Sequence, residues 1–327
     1  MTYFTIGSRA DDEGLLCTAL RLIRDTCHFA RCLRTGRYDL VHLNPSIGSK
    51  AAMRDGMLLL MSKLFRKRAV VFAHGWYDEF ESKLRRSRVF AMVANRADAF
   101  VVLGSEFVFR LRLLGYKGRA YIHGVPVDDE LLSDAATPAP LTTRREFTIL
   151  FLARLIESKG VYEALETYRL LKSKYSFLRL IVAGDGPELE PMRSRCASTG
   201  LEDVTFTGHV AGEKKCAVFR RADVYFFPSH SEGLPISVLE AITYGLPVVT
   251  SKVGGLTDFF LDGQMGFMRQ TRDPAEFASI LERIICDRPL AARIRAFNHQ
   301  YAADHFTGSR IAGGLERIYQ AVLEGAD

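Results

Sequence analysis

Short apolar runs and longer amphipathic segments alternate along the whole chain. Runs of β-branched and aromatic residues are typical of strands, whereas apolar residues at every third or fourth position are typical of helices. The first half predicts strands at Tyr3–Ile6, Leu40–Leu43, Ala69–Ala73, Ala99–Leu103 and Ala120–Ile122. Between them the pattern predicts helices that include Leu15–Leu33 and Ala51–Phe65.

The second half repeats this alternation. Its predicted strands are Thr148–Leu152, Leu178–Ala183, Val204–Phe206, Val224–Phe227 and Val248–Thr250. Its helical patterns are Val161–Tyr175, Leu189–Ser198 and Ile236–Tyr244. Because strands separated by helices pair in parallel and are covered on both faces, we predict an α/β protein with two doubly wound, Rossmann-like domains.

One segment between the two halves has no apolar periodicity. Ser133–Arg145 carries prolines and small residues, which is typical of a linker. We therefore predict an N-terminal domain over residues 1–135 and a C-terminal domain over residues 146–305. A helical pattern at 308–325 is expected to pack back on the N-terminal domain.

The composition, with 48% hydrophobic and 25% charged residues, excludes the disordered and fibrous classes. No apolar run reaches the ~18 residues that indicate a transmembrane helix, and the first ten residues indicate a strand rather than a signal peptide. The 6 cysteines form no CxxC pair, so we expect reduced thiols in a cytoplasmic protein and no zinc site.

Several common catalytic signatures are absent from the sequence, namely GxxxxGK[ST], GxSxG and HExxH. Gly184-Asp185-Gly186 follows a predicted strand, but Pro187 stands where a dinucleotide fingerprint would continue. The enzyme classes that carry these signatures are therefore disfavoured.

The segment Phe227–Val249 has two carboxylates around a predicted helix start at Pro235. Glu232 precedes that helix and Glu240 lies in its second turn. A carboxylate can accept bonds from two vicinal hydroxyls, and the free N–H groups of a helix start suit phosphate oxygens, so the pair fits a nucleotide-sugar. The residues alone leave open that Glu232 only caps the helix and that Glu240 is solvated.

Two cations follow the predicted strand Thr148–Leu152. Arg154 and Lys159 lie on a strand-to-helix connection, the place where open α/β sheets bind ligands. An Arg can fork onto a diphosphate while a Lys supplies a point charge, although both could also be solvated loop charges.

Together these segments resemble the retaining glycosyltransferase family 4, which has the GT-B fold. The resemblance rests on Pro228-Ser229-His230-Ser231-Glu232-Gly233, Leu239-Glu240-Ala241 and Gly245-Leu246-Pro247-Val248-Val249. It implies that Arg154 and Lys159 hold the donor diphosphate, that Glu232 contacts the donor sugar, and that Glu240 holds the ribose hydroxyls. The remaining donor-binding positions that it implies are Gly233, Leu234 and Pro235 beside the sugar and phosphates, and Gly184, Asp185, Gly186 and Val210 beside the base.

The N-terminal half resembles the family less closely. Ala73-His74-Gly75 is similar to the segment whose histidine faces the donor sugar, which implies a catalytic role for His74. His123-Gly124-Val125 stands where relatives carry Asn-Gly-Val, and Gly7-Ser8-Arg9 stands where they often carry a Gly-Gly loop. The acceptor side therefore departs from the family pattern.

The resemblance implies a metal-independent hexosyltransferase that needs no cofactor. It would transfer a sugar from a nucleotide-sugar donor to a glycan or lipid-linked acceptor, with retention, in surface polysaccharide or glycolipid assembly of the bacterial type. Two alternatives stay open, a non-hydrolysing sugar-nucleotide epimerase and a catalytically silent nucleotide-sugar-binding subunit.

The net charge of +6 is unevenly distributed. Residues 1–140 contain 21 Lys and Arg against 15 Asp and Glu, whereas residues 141–327 contain 23 of each. The basic clusters are Arg21–Arg37, Arg66–Arg68 and Lys83–Arg88. They form either a solvated face or one that meets an anionic membrane surface or a lipid-diphosphate acceptor, which would make the protein peripheral on the membrane. No nucleic-acid module accompanies the charge, so we expect no nucleic-acid partner.

Overall fold

A computed structural model describes residues 2–3, 6, 15–47, 49–76, 78–84, 88–135 and 146–325. The chain divides into two compact units. The first comprises Met1–His123 with Leu315–Asp327, and the second comprises Gly124–Gly314. In both units parallel strands alternate with helices, which confirms the predicted α/β class.

The first unit contains a four-stranded parallel sheet. Its elements in chain order are α1 (Leu15–Thr35), β1 (Leu40–Leu43), β2 (Ser46–Ile47), α2 (Ser49–Leu64), β3 (Arg68–Ala73), β4 (Gly75–Trp76), α3 (Asp78–Leu84), α4 (Arg88–Ala94), β5 (Ala99–Val102), α5 (Ser105–Leu113) and β6 (Arg119–Ile122). The sheet has the order β1-β3-β5-β6, and β2 pairs separately with β4. The central strands β3 and β5 are buried almost throughout, as parallel strands covered on both faces are.

The second unit contains a six-stranded parallel sheet. Its elements begin with α6 (Asp129–Ala135), β7 (Phe147–Leu152), a 3₁₀ turn (Glu157–Lys159), α7 (Val161–Lys172), β8 (Leu178–Ala183), α8 (Leu189–Thr199), β9 (Val204–Gly208) and α9 (Glu213–Arg221). They continue with β10 (Val224–Phe227), α10 (Ile236–Thr243), β11 (Val248–Ser251), α11 (Leu256–Phe259), β12 (Gly266–Arg269), α12 (Pro274–Cys286) and α13 (Arg288–His305). The strand order is β12-β11-β10-β7-β8-β9, and every pair is parallel.

The last helix, α14 (Gly308–Glu324), begins in the second unit and ends in the first. Within the first unit its Tyr319 hydroxyl contacts Nδ1 of His42, and the Arg119 guanidinium donates to the carbonyl of Gly325 at 3.1 Å. Residues from both ends of the chain therefore complete the first unit.

The helix α6 differs from the sequence-based expectation. Ser133–Ala135 form its last turn instead of a linker, while residues 136–145 lie outside the described ranges. Leu131 is buried in the core of the second unit, and Asp134 accepts a bond from the Tyr244 hydroxyl at 2.7 Å. These contacts assign residues 124–135 to the second unit, whereas the sequence suggests a seam after residue 135.

One predicted strand lies partly outside the described residues, and one observed strand was not predicted. The predicted strand Tyr3–Ile6 includes Phe4 and Thr5, which lie outside them, as do Gly7–Arg9. The strand β12, Gly266–Arg269, has no counterpart among the predicted elements, because a glycine followed by Phe-Met-Arg shows neither alternation nor β-branched residues.

Candidate active site

The residues predicted to bind the donor follow three neighbouring strands of the second unit. Arg154 and Lys159 follow β7, Gly184 follows β8, and Glu232 follows β10. These strands are adjacent in the order β10-β7-β8 and run parallel, so all three loops leave the same carboxyl edge of the sheet. That edge is where open α/β sheets bind their ligands.

Backbone contacts join the three loops closely. The Leu155 N–H donates to the carbonyl of Asp185 at 2.8 Å, and the His230 N–H donates to the carbonyl of Ser158 at 2.8 Å. Gly184 has a φ of +136°, and a Cβ there would lie 1.8 Å from the carbonyl oxygen of Ala153. Only glycine permits this approach of β7 to β8.

The loop that carries Glu232 is held from behind by a second glycine. Gly254 has a φ of +51°, and its missing Cβ would lie 2.2 Å from the carbonyl oxygen of Gly233 and 2.4 Å from that of Glu232. The neighbouring Gly255 N–H donates to the Gly233 carbonyl at 2.7 Å. The backbone before α10 is therefore fixed by close packing.

Glu232 forms a compact ion pair with Lys159. The Lys159 ammonium lies 2.6 Å from Oε1 of Glu232, and the Ser229 hydroxyl donates to the same oxygen at 2.7 Å. The Glu232 side chain is only 10% exposed. The helix α10 begins after Pro235 without a side-chain cap, so the reading of Glu232 as a helix cap is wrong.

Glu240 is buried in α10 and paired with Lys215 of α9. Burial raises the pKa of the Glu240 carboxyl, while the hydrogen bond and charge of Lys215 act against that rise. The reading of Glu240 as a solvated flank residue is therefore wrong. Sequence reasoning missed Lys215, because nothing in Glu213-Lys214-Lys215 distinguishes the lysine that faces α10 from its exposed neighbour.

Arg154 is exposed, and its guanidinium has no ion-pair or hydrogen-bond partner among the residues that the structure describes. Lys159 and Lys215 each neutralise one glutamate, which leaves Arg154 as the uncompensated cation of this group. A positive charge at the carboxyl edge can attract an anionic ligand.

The remaining predicted positions have mixed environments. Asp185 accepts a bond from the backbone N–H of Gly186 at 2.7 Å, and Val210 is buried in the core of the second unit. Tyr225, which sequence reasoning missed, is fully buried with its hydroxyl 2.9 Å from the Leu152 carbonyl and 2.7 Å from Oγ of Ser237. It thereby ties the first turn of α10 to the end of β7.

His74 lies at the end of β3 in the first unit, within a small polar chain. Its Nε2 is 3.1 Å from Oδ1 of Asn44, and Nε2 of His42 lies 2.5 Å from the same oxygen. Burial lowers the pKa of both imidazoles, and His42 lowers that of His74 further. A neutral His74 that donates from Nε2 to Asn44 keeps Nδ1 as an acceptor; sequence reasoning missed both His42 and Asn44.

No helix in the described part of the chain combines the length and the apolar character needed to cross a membrane. Cys27, Cys32, Cys196, Cys216 and Cys286 are free thiols. Ligand atoms of Asp134, Glu213 and Cys216 lie within 4.8 Å of one another, but Arg220 already bonds both carboxylates.

Comparison with known proteins now identifies the family. Residues 136–300 match the model of the family described as glycosyl transferases group 1. A D-inositol 3-phosphate glycosyltransferase of Streptomyces avermitilis is 30% identical over 314 residues, which covers 89% of this chain and 67% of that protein. The chain therefore belongs to the group 1 glycosyl transferase family.

Other relatives match a smaller part of the chain. A glycogen synthase of Mycobacterium tuberculosis is 31% identical over 193 residues, or 57% of this chain and 46% of that protein. The chain thus spans less than half the length of the first of the curated relatives that it matches.

Solved structures agree with the predicted fold. HepE of Anabaena in complex with UDP and glucose has a TM-score of 0.72 at 22% identity, covering 90% of this chain and 81% of that one. The pneumococcal O-GlcNAc transferase GtfA in complex with UDP and GlcNAc has a TM-score of 0.70 at 18% identity, covering 91% and 60%. The prediction of a GT-B fold is confirmed.

Proposed function

We propose that this protein is a retaining hexosyltransferase of family 4. It moves a sugar from a nucleotide-sugar to an acceptor hydroxyl and uses neither a metal nor a cofactor. The observation that carries the proposal is the pairing at the carboxyl edge, where Lys159 meets Glu232 and the neighbouring Arg154 is uncompensated. Such an arrangement suits a ligand with a hydroxyl-rich part beside a diphosphate.

The proposed chemistry begins with departure of the nucleoside diphosphate. Negative charge grows on the leaving oxygen while the sugar becomes oxocarbenium-like, so cations fixed near that oxygen lower the barrier. Arg154, Lys159 and the first N–H groups of α10, after Pro235, supply this stabilisation. A phosphate oxygen then takes the proton of the acceptor hydroxyl, which attacks from the face that the leaving group has vacated.

The other predicted residues bind and orient the donor. Glu232 with the backbone of Gly233 and Leu234 holds the sugar hydroxyls, and Glu240 holds the ribose. The loop Gly184–Gly186 and the region of Val210 border the base. A neutral His74, which the resemblance implies faces the donor sugar, accepts a hydrogen bond at Nδ1 from a hydroxyl of that sugar.

The test is a panel of nucleotide-sugars in thermal denaturation, followed by product analysis. A donor at 100 times its dissociation constant stabilises the protein by about 2.7 kcal/mol. With a glycan or lipid-linked acceptor, NMR of the product should show the anomeric configuration of the donor. An epimerised nucleotide-sugar formed without acceptor would favour the epimerase alternative, and binding with neither transfer nor donor hydrolysis would favour the silent subunit.

We further propose that the first unit meets an anionic membrane surface, which would make the protein cytoplasmic and peripheral. Met53, Met57, Leu60 and Leu64 of α2 are 44–80% exposed. Their spacing of four, three and four residues puts them on one face of α2, opposite the buried Leu58 and Ser62. An exposed apolar stripe of this kind is what an interfacial helix buries among lipid headgroups.

The helices that pack against α2 expose further apolar side chains. α2 packs against both α1 and α4. α1 exposes Leu20 and Ile23, and α4 exposes Val89 and Met92. The first unit holds 22 Lys and Arg against 14 Asp and Glu, so its charge complements anionic lipid. Arg21 does not belong to the exposed basic surface, because it is buried.

Liposome sedimentation tests the membrane proposal. The protein should bind vesicles that contain phosphatidylglycerol more strongly than neutral ones. Leu60→Gln with Leu64→Gln should weaken that binding, whereas Leu261→Gln, a matched change at an exposed apolar residue of the second unit, should not. Equal binding to neutral and anionic vesicles, or equal loss in both variants, contradicts the proposal.

A further inference from the structure

Lys215 is a third cation of the candidate donor site, beside Arg154 and Lys159, and its position in the sequence did not indicate any role. It projects from α9, and its ammonium contacts Oε1 of Glu240 on α10. The Glu240 side chain is 4% exposed and that of Lys215 is 24% exposed. The glutamate is therefore almost fully removed from water, while the lysine keeps part of its hydration.

Such a burial has a known physical cost. A carboxylate moved out of water is strongly disfavoured unless a counter-charge and hydrogen bonds compensate it, and otherwise it takes up a proton. Lys215 is the cation that the structure puts at this carboxylate. A protonated Glu240 would have one oxygen committed as a donor, so it could no longer accept bonds from two vicinal hydroxyls.

Other titratable groups around α10 do not provide this compensation. The charge of Asp128, before α6, adds to the rise in the Glu240 pKa, and Tyr225 of β10 is buried and neutral. From α13, the backbone carbonyl of Arg295 lies beside Gly245, just after the C-terminal end of α10, and Nδ1 of His299 is 3.2 Å from the Thr243 carbonyl. Asp134 of α6 bonds Tyr244 at that same end.

We propose that Lys215 is a positioning residue that keeps Glu240 ionised and oriented for the ribose hydroxyls of the donor. The inference rests on the proposed function, since it takes Glu240 as the ribose-binding group. Lys215 itself need not touch the ligand. It acts through Glu240, and its neighbour Lys214 offers a matched control, being exposed on the same helix without contact to Glu240.

The first measurement needs no ligand. Carboxyl NMR of the full chain with labelled glutamate, assigned by subtraction with Glu240→Gln, gives the titration of Glu240. Lys215→Met should raise the pKa of Glu240 further, Lys214→Met should leave it unchanged, and Lys215→Arg should restore the unmodified value. An unchanged Glu240 titration in Lys215→Met overturns the inference.

The second measurement is UDP binding by calorimetry across pH. At pH 6 Lys215→Met should bind UDP about tenfold more weakly than the unmodified protein, the scale of a lost charge-assisted hydrogen bond. The difference should shrink as the pH rises, because a higher pH ionises Glu240 without help from Lys215. Titration of UDP itself is common to both proteins and cancels in the ratio of dissociation constants.

Combining the changes separates this inference from the proposed function. In a Glu240→Gln background, Lys215→Met should add no pH-dependent loss. A pH-independent loss in Lys215→Met, or tighter UDP binding, overturns the positioning role even where UDP binds the unmodified protein normally. Absence of binding to every nucleotide-sugar of the panel overturns the proposed function, and the carboxyl titration then still decides whether Lys215 controls Glu240.

Discussion

Arg154 and Lys159 have the same proposed role but different surroundings, so their substitution should affect turnover alike and stability differently. Arg154→Ala and Lys159→Ala each remove one cation from the leaving diphosphate. The loss of one such group costs about 2.7–4 kcal/mol of transition-state stabilisation, which is about 10²–10³-fold in turnover. Both variants are therefore expected to be nearly inactive.

Stability separates the two variants. Arg154 is exposed and has no partner within the described ranges, so Arg154→Ala should change the free energy of unfolding by less than about 0.5 kcal/mol. Lys159→Ala leaves the Glu232 carboxylate, 10% exposed, with the Ser229 hydroxyl as its remaining side-chain partner. A buried acceptor deprived of its charged partner costs about 1–3 kcal/mol.

Denaturant unfolding of the ligand-free protein and initial rates with the identified donor measure the two quantities. Lys174→Ala is the control, because it breaks an exposed surface pair with Glu282 and should change neither quantity appreciably. Lys159→Met combined with Glu232→Gln should recover stability but not turnover. Near-normal activity of Arg154→Ala, or equal destabilisation by Arg154→Ala and Lys159→Ala, would refute the reasoning.

Three further outcomes follow from single contacts. Gly254→Ala should lower the melting temperature and weaken binding of the donor identified in the nucleotide-sugar panel, because its Cβ would displace the Gly233 carbonyl. Gly263→Ala, with open space at its Cβ, should show only the smaller cost of a positive φ. Burial alone would raise the pKa of Asp98, but hydrogen bonds from Lys63, the Ala69 N–H and Arg68 lower it below the value in the unfolded chain. The stability that ionised Asp98 contributes to the fold is therefore present above the unfolded pKa and is lost as the pH falls through the folded pKa. Asp98→Asn should flatten the acid limb of the curve of unfolding free energy against pH. Because the pKa of Glu240 is raised in the folded state, its contribution to stability is lost as pH rises through that pKa, and Glu240→Gln should remove this dependence in denaturant unfolding.

Much of the fold could be predicted because its central strands are buried on both faces. Val224–Phe227 is a continuous apolar run and Leu178–Ala183 is interrupted by Arg179 alone, and both strands have the same bounds in the structure as in the sequence-based prediction. The short strand β12 and the helix α6 escaped prediction for opposite reasons. The former has too few apolar residues to form a pattern, while the latter is short and its last turn falls in a segment with the composition of a linker.

The candidate site divides in a similar way. Arg154, Lys159 and Glu232 could be proposed from short motifs, because each lies directly after a strand and parallel strands bring such loops together. Lys215 and Asn44 could not be proposed from the sequence, since each matters through a contact with a residue far along the chain, namely Glu240 for Lys215 and His74 for Asn44. Glu240 is 25 residues from Lys215, and no periodic pattern relates the two.

The discontinuity of the first unit bears on the order in which the chain can fold during synthesis. The second unit is a single continuous stretch, so its contacts can form before the segment containing Leu315 leaves the ribosome. The first unit must wait for that segment, because Tyr319 and Gly325 supply partners for His42 and Arg119. We therefore expect the half that is translated first to be completed last, and nascent chains stalled before Leu315 to expose His42 to protease while the second unit is already resistant.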